Sequence, residues 1–176
     1  MAAISNSRRA GAGIAFVVAG ALILLHHLLG LAGVAVTGNW LLFLAYLAIA
    51  VGFILLAIGS VANTVARIAL IVGGVGWALL ALGFLVALPP GVGTVAAIAA
   101  AAGGVVGAIV LYTGKEITNR SAVAFIVTTI VAAIILLAGI AGMGLGVFGT
   151  LLWIVFGIGL VLTGVLFYRV QGSRRR

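Results

Sequence analysis

The sequence predicts an all-α fold, a polytopic transmembrane helical bundle of about six spans, and three observations predict it. Of 176 residues, 66% are hydrophobic and only 6% charged, with a mean hydropathy of +1.51. Soluble domains carry about 25% charged residues, so this inventory cannot cover a water-facing surface and lipid must be the solvent. Six stretches reach the length of about 20 apolar residues that a helix needs to cross roughly 30 Å of hydrocarbon. Finally, all nine Lys and Arg residues fall at the chain's two ends or at alternate junctions of those stretches.

The first span, 10–31, follows the Arg8-Arg9 pair. A secretory signal begins the same way, but this apolar run outlasts a signal core and reads as a span. The second, 40–60, opens at Trp40 after the turn residues Thr37-Gly38-Asn39. Asn63-Thr64 supplies helix-cap chemistry for the third, 65–88. Pro89-Pro90-Gly91 breaks the chain before the fourth, 93–113. The fifth and sixth, 121–141 and 147–168, are separated by a glycine-rich turn. The 176 residues form a single integral membrane domain.

Charge tests this count. Arg8 and Arg9 precede span one, Arg67 marks the junction of two and three, Lys115 and Arg120 separate four and five, and Arg169 and Arg174–Arg176 follow six. Six spans put all of them on one side, which the positive-inside bias makes the cytoplasm, together with both ends of the chain. The formal charge of +8 and pI near 11.8 therefore report topology rather than nucleic acid, whose phosphates require a basic face. Trp40, Tyr112 and Tyr168 lie near span ends as interfacial anchors, whereas Trp77 and Trp153 do not.

The chain also reads as a helical hairpin written three times, over 10–60, 65–113 and 121–168, with a period of about 55 residues. The second helices align through Gly52, Gly107 and Gly164; the first helices, more loosely, place Gly20 over Gly74 and Thr129. Such units are parallel repeats about the membrane normal, unlike the inverted repeats of many transporters.

Lipid gives helices little hydrophobic reason to associate, so close backbone approach between small residues must hold them. Pairs at four-residue spacing share a helix face: Ala48 with Gly52, Ala69 with Gly73, Gly103 with Gly107, and Gly142 with Gly146. Span four, with Ala99–Ala102 followed by Gly103-Gly104, has almost no bulk and is expected to be the most closely surrounded helix.

Chemistry is sparse. Intramembrane acids and bases mark proton relays and ion sites, and no span carries one in its middle. The sole acid, Glu116, reads as a solvated loop charge; hydrolysis needs a paired carboxylate or a metal. His26 and His27 lie about 25 Å beyond Arg9 along a helix, near the outer interface, and adjacent positions cannot both face the interior. They are candidates for a metal or haem site only with ligands from elsewhere, and no cofactor is expected. There is no cysteine. Gly144-x-Gly-x-x-Gly149 matches a dinucleotide fingerprint but lies outside any βαβ unit. Arg169, Arg174, Arg175 and Arg176 form the densest cationic cluster and are expected to touch anionic inner-leaflet lipid.

Three tandem hairpins with glycine recurring in the second helices (Gly52, Gly107, Gly164) and a proline turn at Pro89-Pro90 resemble the HdeD family of acid-resistance membrane proteins. The likeness covers most of the chain as a pattern, with no diagnostic motif and with the proline turn in one hairpin of three. It implies a bacterial inner-membrane protein associated with stress tolerance, without a defined reaction. The expected role is non-enzymatic: a self-associating bundle or an accessory subunit of a membrane complex, with the bilayer as its medium. The alternative is a passive channel or carrier for an uncharged or apolar solute.

Overall fold

The computed structural model describes residues 6–34, 39–59, 63–89 and 91–169. Thr37, Gly38, Pro90 and the tail arginines Arg174, Arg175 and Arg176 lie outside them. Six helices account for nearly all of the described chain: α1 (Asn6–Leu31), α2 (Trp40–Gly59), α3 (Thr64–Leu82), α4 (Val92–Thr113), α5 (Asn119–Ile140) and α6 (Gly146–Arg169). Each is long and apolar enough to cross a membrane, and the protein is an integral membrane protein built as a six-helix bundle. Only helices meet the requirement that backbone groups be satisfied inside each segment, in a medium that offers no water.

Helix starts follow local chemistry. The Asn63 side chain accepts hydrogen bonds from the amides of Val65 (2.9 Å) and Ala66 (3.3 Å), capping α3. The Thr118 hydroxyl accepts from the Ser121 amide at the start of α5. Three helices end in the same hydrogen-bonded turn, in which the residue past the cap is left-handed and the next amide reaches back five residues. Val34 N–H donates to Leu29 O beside Gly33, Met143 N–H to Ala138 O beside Gly142, and Glu116 N–H to Leu111 O beside Lys115. The third span is shorter than its apolar run: α3 stops at Leu82, and 83–86 continue as looser turns rather than reaching 88. Leu88 precedes a proline, which excludes it from helical geometry, and the chain unwinds before that point.

Each helix packs antiparallel on its neighbours in sequence, and α6 returns to α1, closing a ring. Arg8 at the start of α1 donates to the carbonyl of Ile58 at the end of α2 (2.6 Å). The described cations Arg8, Arg9, Arg67, Lys115, Arg120 and Arg169 consequently gather at one end of the ring. The exterior is a coat of exposed Leu, Ile and Val, including Ile14, Leu25, Val95 and Leu162. Trp40, Tyr112 and Tyr168 are exposed at helix ends, where amphipathic rings suit the headgroup level.

The centre is filled mainly by aromatics. Phe16, Phe53, Phe125 and Phe167, from α1, α2, α5 and α6, form one cluster with ring centroids 5.6 to 6.1 Å apart. Toward the opposite end, Trp77 stacks on Phe156 (5.8 Å), and Tyr46 contacts Trp77 and Trp153. Helix α4 contributes no bulk to this interior: Ala97, Ala100 and Gly104 face inward, and half of its apolar window is buried, the largest share of the six. As its composition predicts, α4 is the most closely surrounded span.

Candidate functional site

Two interfaces bring backbones into direct contact. Between α3 and α4, a Cβ added at Gly103 would meet Gly73 N and lie 2.5 Å from Ala69 O, and one at Gly107 would lie 2.7 Å from the Leu70 side chain. The four-residue pairs Ala69/Gly73 and Gly103/Gly107 are thus the two sides of one seam. Between α1 and α6, the most extensive interface, a Cβ at Gly13 would lie 2.6 Å from Gly164 O and one at Gly20 would lie 2.5 Å from Gly157 O. Gly13 and Gly20, like Gly157 and Gly164, are seven residues apart, two turns on one face. A search for four-residue pairs misses this seam; a search at heptad spacing finds it.

The remaining small pairs act differently. Gly52 opens a slot for the Phe16 ring, whose Cε1 would lie 2.5 Å from a Cβ there, with Ala48 one turn away at the edge of the core. Gly142 and Gly146 do not pack helices: a Cβ on either would meet nothing within 4 Å. Both have positive φ, 66° and 49°, Gly142 as the left-handed residue ending α5 and Gly146 where α6 starts. Of the loosely aligned positions of the first helices, Gly20 faces α6, Gly74 faces α2 and Thr129 faces α4.

Polar groups occupy three levels. At the cationic end, Glu116 is 3% exposed and Arg9 5%, so the sole acid is not a solvated loop charge. The physical reason is the turn that ends α4: Lys115 adopts φ 54°, the Glu116 amide folds back to Leu111 O, and Glu116 and Ile117 are turned into the bundle. Arg9, Arg67 and Glu116 are each engaged by partners. At mid-depth, Thr128 donates to Ala124 O (2.7 Å) and lies 3.2 Å from the Thr163 hydroxyl across α5 and α6. Gly159 makes the space, since a Cβ there would stand 2.6 Å from Thr128 Oγ1. Thr128 and Thr129 border a void of about 10 Å³ lined also by Phe53, Trp77, Phe125 and Phe156, at the lower limit for one water.

At the far end, His26 and His27 lie edge to face with centroids 5.1 Å apart, and His27 stacks on Trp153 of α6 at 5.6 Å. His26 Nδ1 and His27 Nε2 are buried without a hydrogen-bond partner. Among the described residues no group of three His, Cys, Asp or Glu side chains converges, so a metal held here needs ligands from another chain. Arg169 closes α6, exposed beside Tyr168.

Comparison with protein-family models, with curated proteins and with solved structures finds no match.

Proposed function

We propose that the protein is a non-enzymatic component of a bacterial inner membrane, with both ends cytoplasmic, that acts by association with copies of itself or as an accessory subunit of a membrane complex. The observation that supports this reading is the filled interior. Aromatics from α1, α2, α3, α5 and α6 meet over the small residues of α4, and the void they line among the described residues is about 10 Å³. What this bundle offers other molecules is therefore its lateral surface, an apolar coat interrupted by shallow grooves where helices diverge. Orientation follows from the cations gathered at one end, and the pattern-level resemblance to HdeD-type proteins supports a role in stress tolerance.

Mild extraction into lipid nanodiscs followed by native mass spectrometry tests the reading. Multimers or a stoichiometric membrane partner are expected. A lone monomer under every mild condition, together with solute flux through proteoliposomes, would replace this reading with the passive-conduit alternative.

A further inference from the structure

Lateral grooves open between neighbouring helices of the ring, and one of them differs in kind. The α2/α3 groove, about 300 Å³, is lined only by apolar side chains such as Val51 and Val75. The α5/α6 groove, about 320 Å³, lies at the end away from the cations and includes Gly139 and Thr150. The α1/α6 groove, about 390 Å³, runs along Gly13, Ile14, Val17 and Val165 and ends at Tyr168 and Arg169. It is apolar where it is deep in the membrane and cationic where it meets the boundary.

We propose that this groove binds one anionic phospholipid of the cation-side leaflet, an acyl chain lying along Ile14, Val17 and Val165 and the phosphate meeting Arg169. The volume lies within the range of about 300 to 1,000 Å³ common to small-molecule sites. Charge selects the ligand. Arg169 is exposed at the groove's mouth, a guanidinium donates in a fork matched to phosphate oxygens, and neither α1 nor α6 contains an acidic residue to oppose an anion. Tyr168, 53% exposed, adds a hydroxyl at headgroup level. Depth agrees as well: Gly13 to Val18 begin four residues past Arg9, about 6 Å into the membrane at the helical rise, where acyl chains start. The groove floor is held by the Gly13–Gly164 contact, so the cleft is part of the fold.

The test is lipid retention by native mass spectrometry after release from nanodiscs of phosphatidylcholine and phosphatidylglycerol in equal parts. Phosphatidylglycerol is expected to be retained over phosphatidylcholine. Arg169→Gln is expected to lower that retention about five-fold, the worth of one basic residue at an anionic surface. Ile14→Trp, which fills the groove and leaves every charge in place, is expected to lower it comparably, while replacing Arg174, Arg175 and Arg176 with Gln changes it little. Thermal unfolding in detergent checks that each variant is folded, and either of the first two variants suffices if the other misfolds. Equal retention of both lipids, retention indifferent to both groove variants, loss that follows only the tail, or a second copy of the chain crosslinked into the groove overturns the proposal.

Discussion

Lys115 stands where two other helices of this protein place glycine. It is the left-handed residue ending α4, with φ 54°, in the role that Gly33 and Gly142 fill after α1 and α5. A side chain in that conformation costs about 1 kcal/mol, so Lys115→Gly is expected to raise stability by about that amount in thermal unfolding. The same turn buries Glu116, which is engaged by a partner, and an interaction made by a buried charged group contributes about 1.5 to 3 kcal/mol. Glu116→Gln is therefore expected to lower stability by about 2 kcal/mol, and a variant as stable as the parent would show the carboxylate to be dispensable. Glycines divide in the same residue-by-residue way. Gly103→Ala drives a methyl into Gly73 N and Ala69 O, and overpacking of this kind costs about 1 to 3 kcal/mol. Gly139→Ala meets nothing within 4 Å and is expected to be neutral or to gain up to about 1 kcal/mol of helix propensity. Steric-trap unfolding of the pair measures the difference. Sequence could identify Lys115 and Glu116 as loop charges but not their burial, because burial depends on where a left-handed turn aims the residue after it.

At the level of helices, length and apolar content located all six spans, while the ends depended on finer chemistry. Asn63 announced the start of α3 correctly because its side chain can accept from the next amides wherever it precedes an apolar run. The end of α3 was not legible from hydrophobicity, since Phe84 to Leu88 are as apolar as the helix before them and only the proline behind Leu88 limits it. Pairing between helices was half legible. The α3/α4 seam uses the four-residue spacing common in membranes; the α1/α6 seam uses seven, a repeat close to a whole number of turns in gently coiled helices. Because the chain has no cysteine, that seam can be tested on a clean background. Gly20→Cys with Val161→Cys is expected to crosslink on oxidation, since a Cβ at Gly20 would lie 2.8 Å from the Val161 side chain. A pair at the exposed positions Ile14 of α1 and Val95 of α4, helices that are not neighbours in the ring, serves as the uncrosslinked control.

Taken as a whole, the bundle keeps its large apolar side chains both outside and at the axis, and reserves small residues for the seams between. This distribution suits a medium in which burying a leucine against lipid or against protein makes little difference, so that fit between surfaces selects the arrangement. The alternation of cations was enough to give the number of spans and their common end, but which helices touch was beyond its reach, because charge marks loops and not neighbours. Cysteines introduced singly at Thr64 and at Arg120, on α3 and α5, which flank α4 in the ring, and both at its cationic end, are expected to react with an impermeant thiol reagent only in inverted vesicles. Labelling of one in each orientation would dismantle the six-span arrangement.

Closure of the ring by α1 against α6 also dictates an order of events during biogenesis. Of the six helices α1 is synthesised first, yet the partner for its Gly13 and Gly20 edge is the sixth. Throughout synthesis that bare edge faces only lipid or whatever insertion factor shields it, and a polypeptide halted after α5 leaves it so permanently. A fragment ending after α5 is thus expected to differ from the six-helix chain by a single strip of uncovered backbone along its oldest helix.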